Sequence, residues 1–327
     1  MTDLTETLAL WRGRSDPSEG HGGRRWHEII QPLRATSQKG VAFTGFACDA
    51  GVVRNQGRPG AHKGPQALRR QLANLPVLAC EALFETGDIA PQTRNDHDGL
   101  ERAQDELATH LAQLLAQGLS PISLGGGHEI ALASFEGLAQ FLAESQTTHT
   151  PRIGIINLDA HFDLRHDSRP SSGTPFRQIA ENCHQRGWPF HYYCLGISRF
   201  SNTPALFERA KTLGVHWCLD EELARAPIAS TLAQVQAFID AVDHIYFTVC
   251  LDVLPAAVAP GVSAPAARGV DLAIVETLVD SVSRSQKLRL ADIAELNPDY
   301  DIDQRTARVA ARLVAKIVDA WWPNTPV

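Results

Sequence analysis

Short apolar runs separated by longer stretches of helical spacing constrain this chain more than any other feature. The runs are VAFTGFA (41–47), PISL (121–124), IGIINL (153–158), HYYCLG (191–196), HIYFTVCL (244–251) and KLRLADIAEL (287–296). All are short, and all but the last, which carries four charged residues, are nearly continuous in apolar character, as strands covered on both faces are. Between them, residues 98–117 place Leu100, Leu107, Leu111, Leu114 and Leu115 on one side of a helix. Residues 303–320 do the same with Ala307, Ala310, Leu313, Val314 and Ile317. A further helix is expected over 64–74, entered through Gly64 and Pro65. Strands alternating with helices predict an α/β fold, a parallel sheet with helices on both faces. The Gly/Ser/Pro-rich stretches at 13–24 and 145–151 are too short to mark a domain boundary. Residues 1–327 are therefore expected to form one unit, with 1–36 as an N-terminal extension packed on it.

Composition removes several function classes. The chain carries 30 Lys+Arg against 37 Asp+Glu, a net charge of -7, and has no basic block, which argues against nucleic acid as a partner. No run approaches about 18 consecutive apolar residues, so no membrane-spanning helix is expected. The opening MTDLTETLALWRGRSD lacks the basic and apolar regions of a signal peptide. Six cysteines (Cys48, Cys80, Cys183, Cys194, Cys218, Cys250) include no CxxC pair, so they read as reduced thiols of a cytoplasmic protein.

Ligands of parallel α/β sheets bind beyond the carboxyl ends of the strands. The residues just past each run are therefore informative. After PISL comes GGGHE (125–129), after IGIINL comes DAHFD (159–163), and HIYFTVCL leads into Asp252. If DAHFD is extended, Asp159, His161 and Asp163 point to one side. Two carboxylates and an imidazole suit manganese, zinc or iron. Burying those carboxylates without a cation would cost several kcal/mol. The glycines of GGGHE read in two ways: as a phosphate cradle, or as room for His128 to reach the site.

GGGHE, NLDAHFDLR, SSGTPF (171–176), CLDVLP (250–255), APGVSAP (259–265) and ADIAELNP (291–298), in this order, resemble the ureohydrolase superfamily, which includes arginase and agmatinase. SGTPF and APGVSAP are most similar to the branch that cleaves N-formimidoyl-L-glutamate to glutamate and formamide. The resemblance implies a three-layer α/β/α fold around an eight-stranded, mainly parallel sheet, and two Mn2+ ions per chain. It implies that His128 binds one metal and His161 the other, that Asp159 bridges them, and that Asp252 binds the second. Asp163 would bind the first metal and hold the nucleophilic water, and Glu295 would hold the amidinium. A homo-oligomer is implied as well.

Two positions depart from the superfamily pattern. Cys250 stands where arginase-like sequences carry a bridging aspartate. It is either a thiolate ligand, since metals deprotonate thiols, or a buried bystander. SSGTPF also lacks the histidine that serves arginases as a proton shuttle. Binding two carboxylates of a glutamate-like substrate calls for arginine forks, and Arg54, Arg58, Arg165 and Arg177 are the candidates, with Thr174 orienting the substrate. The rival readings are a sister activity on a guanidinium substrate (guanidinobutyrase, agmatinase or arginase chemistry) and a metal-poor, non-catalytic homologue.

Overall fold

All six apolar runs form strands in the computed structural model, which describes residues 4–34, 38–92, 98–144 and 150–321. The strands are β1 (Gln31–Pro32), β2 (Val41–Phe46), β3 (Leu83–Ile89), β4 (Ser120–Gly125), β5 (Ile153–Leu158), β6 (His191–Ile197), β7 (His216–Leu219), β8 (His244–Cys250) and β9 (Leu288–Ala294). They make one sheet in the order β1-β3-β2-β4-β9-β8-β5-β6-β7. Every pairing in it is parallel.

The alternation of side chains along each strand feeds two cores. In β5, Ile155 lies in a cluster with Phe135, Leu138 and Ile179. Its neighbour Ile156 lies in the cluster of the opposite face, with Leu68, Val275, Leu278, Leu313 and Val314. The helices Leu100–Ala116 and Arg305–Trp321 bury the faces read from their spacing.

The sheet departs from the expected eight strands, because β1, two residues of the N-terminal extension, pairs with β3 at one edge. Two of the other strands were not legible as apolar runs. The short edge strand β7 exposes His216. β3 (LFETGDI) contains three polar side chains, yet all seven of its residues are buried. The compensation comes from elsewhere: Arg69, on the helix Gly64–Leu72, reaches Glu85 at 2.8 Å and Asp88 at 2.5 Å. Trp11 Nε1 donates to Glu85 Oε2 at 2.7 Å. The Trp11 and Trp26 rings each lie 5.8 Å from Phe43, so the extension packs on β2 as well.

Candidate metal centre

The strand order brings together four carboxyl ends that are far apart in sequence. β4, β9, β8 and β5 are consecutive in the sheet. They deliver His128, Glu295, Cys250 with Asp252, and the Asp159–Asp163 segment, respectively.

Close backbone approach explains the glycines of GGGHE. Gly126 N donates to Phe46 O at 2.9 Å, and a Cβ on Gly126 would meet Cys48 O at 1.7 Å. A Cβ on Gly127 would meet Glu129 Oε2 at 2.0 Å. These glycines face protein rather than an anion, which corrects the phosphate-cradle alternative. In the DAHFD segment and the leucine after it, Ala160, Phe162 and Leu164 turn into the core while Asp159, His161 and Asp163 converge. The backbone there is a turn and not an extended strand, contrary to expectation. Asp159 Oδ1 accepts the His161 N–H at 2.7 Å, and Asp163 has φ 48°. Asn202 braces the turn, donating to Ala160 O at 2.9 Å and accepting from Phe162 N at 3.1 Å.

Two sets of possible ligand atoms share Asp159: His128, Asp159 and Cys250, and Asp159, His161 and Asp252, with the atoms of each set lying within 4.8 Å of one another. His128 Nδ1 is 2.9 Å from Asp159 Oδ2 and 3.0 Å from Asp163 Oδ2. His161 Nδ1 is 3.5 Å from Asp159 Oδ1 and 3.1 Å from Asp252 Oδ2. His128 Nδ1 is buried and makes no hydrogen bond in spite of these contacts. Three carboxylates and two imidazoles converge, and His128 Nδ1 faces two carboxylate oxygens at once, which is the donor arrangement a divalent cation completes.

Burial alone would raise the Asp159 carboxyl, but the flanking His128 and His161 rings hold it well below the usual range. Burial, together with the Asp159 charge, pushes Asp163 up to about 6. Burial favours the neutral rings, yet the neighbouring carboxylates raise both His128 and His161 above the ordinary value. Burial and then the nearby carboxylates push the Cys250 thiol far up. Glu295, with φ 71°, accepts the His128 N–H at 2.9 Å through Oε1, while its buried Oε2 has no partner among the described residues. Burial and the charges of Glu129 and Asp252 push it up to about 8.

A cavity of about 280 Å³ opens over these groups, and Asn55, Arg58, Arg165, Ser172 and Ser263 also line it. Of the four candidate arginines, two therefore reach it. Arg58 is already engaged, donating through Nε to Ser263 O at 3.0 Å and stacking 4.1 Å over Tyr300. Arg165 is exposed, and its side chain lies across Gly173, where a Cβ would meet its Cδ at 2.9 Å. Arg54 is turned away instead, forked onto Asp98 and Glu101 at 2.6 Å each. Arg177 pairs with Glu181 at 2.5 Å and donates to Arg165 O at 2.7 Å. Thr174 is buried in its own turn, bonded to Ser171 and Gln178. These three do not line the cavity. Asn55, Ser172 and Ser263 were not singled out from sequence; Ser172 and Ser263 lie inside SSGTPF and APGVSAP, and Asn55 follows Arg54 directly.

An all-parallel sheet whose carboxyl edge carries two carboxylate–imidazole sets joined by one aspartate is an arginase-like fold with a candidate metal centre. The chain belongs to the Arginase family, whose model matches residues 39–319. A formimidoylglutamase from Ralstonia nicotianae is 57% identical over 317 residues, covering 96% of each chain. The structure of Trypanosoma cruzi formiminoglutamase with Mn2+ superposes with a TM-score of 0.75 at 26% identity, covering 86% of this chain and 93% of that one. Formimidoylglutamase from Bacillus subtilis shares the fold, with a TM-score of 0.81 at 22% identity over 97% and 98% of the two chains.

Proposed function

We propose that this protein hydrolyses N-formimidoyl-L-glutamate to L-glutamate and formamide with two manganese ions per chain. The observation that carries the reaction type is the sharing of Asp159 between the two ligand sets beneath an open cavity. The substrate rests on near-full-length similarity to the Ralstonia nicotianae relative of that name.

His128, Asp159, Asp163 and Cys250 would hold one ion, and Asp159, His161 and Asp252 the other. When bound, the ions lower the pKa of water from 15.7 toward about 7 and so supply a nucleophile at neutral pH. Asp163 orients that water and takes its proton. Water adds to the formimidoyl carbon, the bond from that carbon to the glutamate nitrogen breaks, and the nitrogen leaves as an amine after gaining a proton. With no histidine in SSGTPF, Asp163 is the residue placed to return that proton. Glu295 Oε2 holds the formimidoyl nitrogen, an interaction that strengthens as the amidine gains positive charge. Arg165, on the rim, takes a carboxylate of the glutamyl portion, with Arg58 beside it.

We read residues 1–327 as a single unit with 1–36 as an extension on it. No helix among the described residues is long and apolar enough to cross a membrane. All six cysteines are buried and unpaired, which supports a cytoplasmic location. The similarity to the family supports a homo-oligomer.

Metal analysis together with product assay tests this reading. The purified protein should carry close to two transition ions per chain and release formamide from formimidoyl-glutamate. A protein that stayed inert after manganese addition would sink the enzyme reading, and faster release of urea from arginine would overturn the substrate.

A further inference from the structure

A buried carboxylate that the proposed reaction does not use lies directly beneath His128. Asp292, on β9, is fully buried. Its Oδ2 accepts hydrogen bonds from Ser134 Oγ at 2.6 Å and from Tyr246 Oη at 2.7 Å. Its Oδ1 finds no partner among the described residues. Across the ladder, Asp292 is the register partner of Thr248 on β8, and Thr248 Oγ1 lies 3.1 Å from Nε2 of His128.

We propose that Asp292, acting through the Thr248 hydroxyl, is the positioning residue that fixes the tautomer and orientation of His128 as a metal ligand. The inference rests on the metal-dependent function proposed for this site. Only the neutral ring with its lone pair on Nδ1 can bind a cation, so the ring proton must sit on Nε2. Nε2–H then donates to Thr248 Oγ1. The threonine hydrogen is thereby left for a second acceptor, and the carboxylate of its register partner Asp292, whose charged form a Thr248 hydrogen bond favours, supplies one. Asp292 stays in place because Ser134 and Tyr246 hold its Oδ2. A carboxylate behind a ligating histidine raises the basicity of the ring, and loss of such partners typically lowers metal affinity 10–100-fold.

The other neighbours of this carboxylate provide a control. Ser123 on β4 is also a register partner of Asp292, but its hydroxyl is unmatched and so makes no hydrogen bond to His128. Asn157 Nδ2 donates to Asp159 Oδ2 at 3.1 Å, so the first bridging carboxylate is held by a separate group.

Manganese titration of the metal-free protein by calorimetry, read beside the thermal midpoint of the same metal-free samples, tests the relay. Wild type should show two binding steps. Thr248→Val and Asp292→Asn should each weaken one step about 10–100-fold and leave the other within about threefold. The double variant should lose no more than the worse single one, and Ser123→Ala should leave both steps unchanged. Unaltered affinities with a lowered metal-free midpoint would show a purely structural role and overturn the proposal. Additive losses, equal weakening of both steps, or an equal effect of Ser123→Ala would overturn it as well. A wild-type chain that takes up no manganese would fail the metal reading itself, a result distinct from each of these.

Discussion

Arg69 grips Glu85 with two arms inside the protein, Nε to Oε2 at 2.8 Å and Nη2 to Oε1 at 2.9 Å, with both side chains fully buried. The pair ties the helix Gly64–Leu72 to β3, and the third arm, Nη1, takes Asp88 at 2.5 Å. Such a cluster specifies where a helix sits more than it stabilises it, because both charges are taken out of water.

Removing Arg69 should therefore be severe. Arg69→Met leaves two buried carboxyl groups without their cation, and a loss of about 3–5 kcal/mol is expected in urea unfolding. A loss below about 1 kcal/mol would mean that the strand tolerates its own acids.

At the metal centre, Asp163→Asn should abolish turnover, by about a thousandfold or more, while the far-ultraviolet circular dichroism stays unchanged. Its carboxylate is the proposed carrier of the transferred proton, and an amide of the same shape cannot replace it. Retained activity would place that proton on another group.

Cys250→Asp tests the thiol. If Cys250 ligates as a thiolate, cobalt-loaded protein should absorb in the near ultraviolet through sulfur-to-metal charge transfer, and the variant should lose that band. Equal spectra, metal content and rates would make the thiol a bystander.

Arg165 and Arg177 separate rim from scaffold. Arg165→Ala should raise KM by about 10–100-fold with kcat within a few-fold, the signature of lost uniform binding. Arg177→Ala, which removes a contact to Arg165 O and to Glu181 but none to the cavity, should move KM far less. An equal effect of both would mean that Arg177 acts by holding Arg165.

The pair between Asp243 and Arg152 sets part of the acid response. The Arg152 fork (Nη2 to Oδ1 at 2.6 Å, Nε to Oδ2 at 3.1 Å) holds Asp243 down to about 2. A carboxyl that is lower in the folded state stabilises the protein above its unfolded value of about 3.9, and that stabilisation fades as pH falls toward 2. Arg152 is half exposed, so solvent screens the pair and its contribution is small. The stability gap between wild type and Asp243→Asn should shrink as pH falls from about 5 toward about 2. A gap that stayed constant would assign the effect to packing.

Strands such as IGIINL and helices such as Leu100–Ala116 were legible because local periodicity reflects burial, which one segment can report by itself. The residues of the candidate site were legible too, since polar residues directly after an apolar strand fall at its carboxyl end. β3 was not, because its acids are compensated by Arg69 and Trp11 from other elements, and no window of sequence contains those partners. The arginines divide for the same reason. Arg54, Arg58, Arg165 and Arg177 carry equal charge in the sequence, and only their tertiary neighbours send two to the cavity and two away from it. The sequence alone determined the layering and the set of metal-type residues, through periodicity and composition. Strand order decided the rest, because placing β4, β9, β8 and β5 side by side makes one site from residues as far apart as His128 and Glu295.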